Sequence, residues 1–205
     1  MTMDVASMRS FMALGFGHMT APGALDHILF LLVLAAIYRW QEWRQVLAVI
    51  TAFTVGHSVT LALAVLRPAT LPDPALVEFL IPLTIVATGI ENVVTRGVVE
   101  RRVRIGRRAL LAGGFGLVHG AGFAGYLAQI LPGSIATPLL GFNVGIELGQ
   151  VVVLVAAFTA LAVIDRVLRA VLKGGASSGF QLRVVSVSLL VAGMGGVWAL
   201  ERAPW

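Results

Sequence analysis

The chain has 205 residues, of which 58% are hydrophobic and only 12% charged, and its mean hydropathy is +0.92. A soluble domain carries about one-quarter charged residues, so this composition excludes an ordinary water-soluble globule and calls for lipid to cover the apolar surface. The absence of cysteine removes disulfides, thiolate metal sites and thiol nucleophiles, while the net charge of +5 falls in short turns between apolar runs, where it orients a chain in a membrane and does not point to nucleic acid.

A helix needs roughly 20 apolar residues to cross a bilayer. The first ten residues do not resemble a secretory leader: Arg9 comes late, the apolar run Phe11–Phe16 is short, and no small-residue cleavage site follows. Residues 8–20 are too short to span alone. They are expected as a re-entrant or interfacial segment, or as the first half of a long helix broken at Pro22-Gly23.

Spans are expected at about 22–38, 45–66, 75–95, 108–131, 136–164 and 181–201. The predicted fold is therefore all-α, a polytopic bundle of about six transmembrane helices plus the short N-terminal segment, forming a single transmembrane domain over 1–205. Arg39 and Arg44 follow the first span. Arg96, Arg101, Arg102, Arg104, Arg107 and Arg108 follow the third, and Arg166, Arg169, Lys173 and Arg183 follow the fifth. The intervening turns hold Arg67 alone, so positive charge places both termini on the outer side, the periplasm if this is a bacterial inner membrane. Residues 174–179, Gly-Gly-Ala-Ser-Ser-Gly, read as a flexible connector. Gly141, Gly145 and Gly149, like Gly116 and Gly120, recur every four residues and suit close helix contact, within the chain or between subunits of a homo-oligomer.

Ionisable groups inside apolar spans are costly unless paired, hydrated or metal-bound. All four histidines lie there: His18, His27 beside Asp26, His57 beside Ser58, and His119 with Tyr126 seven residues on. Thr51, Thr54, His57 and Ser58 share one predicted helix face. Thr84, Thr88, Glu91, Asn92 and Thr95 form a second polar stripe, and Asn143, Glu147 and Gln150 a third.

Each has a plainer reading alone: a Ser or Thr bonds its own helix backbone, a lone His is a packing residue, Asn and Gln join helices, and Tyr126 is an ordinary aromatic. Four imidazoles and three carboxylates over five spans together point to a transition-metal ion, since His with Asp or Glu ligates Zn, Ni, Co, Fe or Mn. At about 1.5 Å per residue, His27 falls roughly 8 Å from the outer end of its span and His57 and His119 roughly 18 Å from their inner ends, with Glu147 about as deep from the outside and Glu91 close to the inner end. On straight helices these groups form a ladder across the bilayer. Two further functions fit the same residues. Three His with Asp can hold Zn²⁺ for a membrane hydrolase, assisted by Ser58 or Glu147. Met8, Met12 and Met19 near His18 offer thioethers for a copper-holding protein, against their reading as apolar helix residues.

The ordered set of stretches around these residues resembles the HupE/UreJ family. It comprises Gly15-Phe16-Gly17-His18, Gly23-Ala24-Leu25-Asp26-His27, Phe53-Thr54-Val55-Gly56-His57-Ser58, Ile90-Glu91-Asn92, Val118-His119-Gly120-Ala121-Gly122 and Gly141-Phe142-Asn143-Val144-Gly145-Ile146-Glu147. The likeness is to the branch often preceded by an extracytoplasmic domain, which is absent from this sequence. It implies nickel or cobalt uptake, with His18, Asp26, His27, His57, His119 and Glu147 as candidate metal residues. Ser58, Glu91, Asn92, Tyr126, Asn143 and Gln150 are candidate supporting residues.

Overall fold

A computed structural model describes residues 5–67, 71–95, 101–130, 136–171 and 176–205. These residues form seven α-helices and one short 3-10 turn, Trp40–Glu42. The helices are α1 (Val5–Thr20), α2 (Leu25–Ala35), α3 (Trp43–Leu66), α4 (Pro74–Thr95), α5 (Arg101–Ile130), α6 (Ala136–Val171) and α7 (Ala176–Glu201). The last five are long and apolar enough to cross a membrane, so the protein is an all-α, multi-pass membrane bundle.

The expected first span, 22–38, is only part of a span, in keeping with the alternative of a long helix broken at Pro22-Gly23. α2 has only 11 residues, about 16 Å of helix, which is too short to cross alone. It forms a pair with α1, bent by 68° at the break between them. Pro22 supplies no backbone donor and Gly23 no side chain, so the helix stops there. Met8 and Met12 of α1 lie against Gly141 and Gly145 near the start of α6. At the far end of α2, Ala36 and Tyr38 accept hydrogen bonds from Arg183, which also pairs with Asp165 near the end of α6. The bent pair therefore runs the length of α6 as one broken span, and with the other five helices it leaves both termini at the same end of the bundle.

Three helix pairs carry most of the packing, and glycine sets their spacing. A Cβ at Gly141 would sit 2.5 Å from the Met8 carbonyl oxygen, and at Gly145 or Gly15 it would overlap the carbonyls of Met12 or Phe142. α1 and α6 are thus zipped backbone to backbone. Gly116 and Gly120 of α5 meet the carbonyls of Phe53 and His57 on α3 in the same way, and Gly89 of α4 meets Ser188 on α7. Without a hydrophobic force between helices in lipid, such close approach is how dispersion contacts accumulate. These glycine faces are packed within the chain, the first of the two uses expected of them.

Two boundaries move for one reason. α5 begins at Arg101 and α6 continues to Val171, because arginine is a good helix former and the helices extend beyond the apolar segment into water. α7 opens at Ala176, so residues 176–179 are helical and not a flexible connector. Residues 172–175 of that connector and turn, and Arg96, lie outside the described residues.

Candidate metal centre

α1, α2 and α3 each bring one imidazole to a common point. The ligand nitrogens of His18, His27 and His57 all lie within 4.8 Å of one another. Nitrogens bound tetrahedrally to one ion at about 2.0–2.1 Å each are about 3.4 Å apart, so ring movements of under about 1 Å each close these three on a single cation. The break after α1 makes this possible. It ends one helix just past His18 and starts the next just before His27, placing their rings 4.7 Å apart. His27 therefore stands level with His57 and His119, in ring contact with His119 at 5.0 Å. Of the ladder expected on straight helices, the histidines draw together into one cluster, with Glu147 and Glu91 outside it.

The cluster is starved of partners. His27, His57 and His119 are buried, and His18 is largely so. His18 Nε2, His27 Nε2, both His57 nitrogens and His119 Nδ1 are buried without a hydrogen-bond partner among the described residues. Unpaired buried polar atoms are rare because each forfeits its hydration. A cation shared between the lone pairs removes that cost.

His119 is fixed by α4. The Thr84 hydroxyl donates to the Ile81 carbonyl at 2.7 Å, so at 2.9 Å its oxygen accepts the proton of His119 Nε2. That tautomer leaves the lone pair on Nδ1. Phenylalanines wall the imidazoles: Phe123 and Phe142 stack 5.1 Å apart, His18 lies 4.3 Å from Phe123, and Phe53 and Phe30 flank His119 at 5.1 and 5.5 Å.

A vestibule of about 530 Å³ opens from the cluster towards the end that holds the termini, lined by His18, Asp26, His27, Glu78, His119 and Arg202. Asp26 does not join the three clustered imidazoles. Its Oδ2 accepts from Arg202 at 3.1 Å, while Oδ1 is buried and unpaired. Among the described residues, ion pairs close the opposite side. Glu91 pairs with Arg107 at 2.6 Å and Arg108 at 3.1 Å. Arg108 also donates to Asn92, whose amide donates to the Val33 carbonyl at 2.7 Å and Ser188 at 3.0 Å. Between this network and the histidines lies a void of only about 10 Å³, no more than one water can use.

A family model described as HupE / UreJ protein matches residues 2–202. The chain belongs to the HupE/UreJ family. No curated protein and no solved structure matches it.

Of the residues that the HupE/UreJ resemblance implied for metal, the structure brings four imidazoles together with Asp26 at their edge. Glu147 stands apart. It lines a lateral groove of about 730 Å³ between α3 and α6 with Thr54, Ser58 and Asn143. Ser58 donates to the Thr54 carbonyl at 2.6 Å, and Gln150, fully buried, accepts from the Thr54 hydroxyl at 3.1 Å. Tyr126 is 52% exposed and contacts Phe123. Thr51 is exposed and leaves the shared face expected of it, whereas Thr84, Thr88 and Asn92 are all buried. The Met19 side chain packs on Gly149 of α6, as an apolar helix residue does.

Sequence reasoning missed Arg202, Arg108, Ser188 and the role of Thr84. Arg108 had a signal: it directly precedes the run Ala109-Leu110-Leu111-Ala112, close enough to enter the bundle. Arg202 had none.

Proposed function

We propose that this protein is a membrane permease for a divalent transition metal, with nickel or cobalt as the favoured cargo, zinc or copper as less favoured ones, and His18, His27 and His57 as the site where the ion pauses. The family is linked to nickel and cobalt transport. The observation that carries the reading is the convergence of three buried imidazoles within 4.8 Å, open to one end of the bundle through the vestibule and closed to the other by the Glu91 network.

His119 supplies a fourth lone pair beside His27, and Asp26 attracts the cation at the entrance. Thr84, Thr88 and Glu91 continue along α4 from the histidines to the far end, with Thr88 donating to the Thr84 carbonyl at 2.8 Å. Release on that side requires the link from Arg108 to Glu91 to open, as alternating access demands. On this reading Glu147 holds no share of the same ion. The membrane is the bacterial inner membrane and the termini are periplasmic, from the placement of the arginines.

The test is flux. Protein reconstituted in liposomes is expected to move Ni²⁺ or Co²⁺ down its gradient, and His57→Ala to stop it. No flux of any divalent ion through folded protein overturns the proposal.

A second reading is favoured by the compactness of the same cluster: three imidazoles and an open position are also the ligand set of a hydrolytic zinc centre, and Ser58 of the lateral groove adjoins His57. Zinc-dependent cleavage of a lipid amide or ester by protein that moves no ion would establish it in place of transport.

A further inference from the structure

At the end of the bundle opposite the vestibule, a recess of about 490 Å³ lies where the turn after α2, the last third of α6 and the start of α7 meet. Neither metal reading uses it. Four arginines line it, Arg39, Arg166, Arg169 and Arg183, with Asp165 as the carboxylate among them.

Asp165 is paired through one oxygen, its Oδ1 being buried without a hydrogen-bond partner among the described residues. Its Oδ2 lies 2.6 Å from Arg183 Nη1, and Arg183 also donates to the carbonyls of Ala36 at 3.0 Å and Tyr38 at 2.8 Å. Arg183 is thus a buried structural tie. Arg169 Nε donates to the Asp165 carbonyl at 3.1 Å, which leaves its terminal nitrogens unused by that bond. Arg39 is held in place by Phe180, whose ring centre is 4.4 Å from the guanidinium carbon. Arg166 is exposed and makes no ion pair among the described residues.

Charge orientation in a membrane requires only that arginines be on one side. It does not require several to converge on one recess. Nor does it supply the apolar wall that this recess has on α6, where Phe158 meets the exposed Trp40 ring edge-on at 5.6 Å and Val163 continues towards the bilayer. A guanidinium fork matches two phosphate oxygens. Basic recesses between spans at the arginine-rich membrane face bind anionic headgroups.

We propose that this recess binds the phosphodiester headgroup of an anionic phospholipid, with Arg39, Arg166 and Arg169 on the phosphate and Phe158 and Val163 along an acyl chain. Trp40 sits at headgroup level, where tryptophan anchors spans. The inference does not depend on metal transport.

The experiment compares phosphatidylglycerol with phosphatidylcholine of the same acyl chains, added to the full chain in detergent, by thermal unfolding and by native mass spectrometry. The expected result is a higher midpoint with phosphatidylglycerol only, and about a tenfold preference for retaining it. Arg39→Gln with Arg166→Gln, which spares Arg183, is expected to abolish both differences without lowering the lipid-free midpoint. Should that variant not fold, the retention ratio of the unaltered protein decides. Equal retention of the two lipids overturns the proposal, as does a double variant that keeps the preference. Inorganic phosphate reproducing the whole shift overturns it in favour of a soluble-anion site.

Discussion

Arg202, one residue beyond α7, places Nη1 3.1 Å from Oδ2 of Asp26, the residue next to His27. The pair joins the C-terminal end of the bundle to the mouth of the metal site. The guanidinium occupies the vestibule carboxylate next to the histidines, while the other Asp26 oxygen stays buried and unpaired.

Arg202 and a divalent ion therefore compete for Asp26. Arg202→Gln is expected to tighten Ni²⁺ or Co²⁺ binding several-fold, a modest effect because both side chains are partly exposed and screened. In an Asp26→Asn background the same change is expected to do nothing, which a double-mutant cycle by calorimetry checks. An equal effect in both backgrounds would mean that Arg202 acts on structure and not on the ion.

Thr84 orients His119 without touching the other imidazoles. Thr84→Val keeps the shape and removes the acceptor for His119 Nε2–H, freeing the ring to turn. Metal affinity is expected to fall about 10- to 100-fold with little change in the unfolding midpoint, and Thr84→Ser to restore it. Unchanged affinity in the valine variant would remove His119 from the site.

The link from Arg108 to Glu91 closes the far side. Arg108→Gln is expected to speed ion release in liposomes while leaving affinity at the histidines within about twofold, because the network lies beyond the imidazoles. Slower flux would assign Arg108 to holding the fold alone.

Glycine spacing predicts stability. Gly145→Val forces a side chain into the Met12 carbonyl, and α1 must move off α6; the expected cost is at least about 2 kcal/mol. Gly17→Ala, inside α1 where nothing lies within 4 Å, is expected to leave stability unchanged or raise it by up to about 1 kcal/mol. Similar midpoints for both would contradict the zipped packing of α1 on α6.

Hydropathy made α3 to α6 legible in the sequence, because twenty apolar residues in a row have few other uses. The α4 stripe was legible too: Thr84, Thr88 and Asn92 at spacings of four are all buried. Periodicity could not give the angle at the break between α1 and α2, and so it could not show that His18 and His27 face one another. Asn143 and Glu147 share one face of α6, but whether that face meets imidazoles or a lateral groove depends on which helix packs there. Arg202 and Asp26 are 176 positions apart, and a single charged residue after a span looks like an ordinary membrane-surface anchor.

X-ray absorption on purified protein loaded with one equivalent of Ni²⁺ or Co²⁺ bears most directly on the metal centre. Three or four imidazole nitrogens at about 2.0–2.1 Å, reduced in number by His57→Ala, are the expected result. A spectrum of oxygen ligands alone, or one unchanged by His57→Ala, would contradict a shared site at His18, His27 and His57.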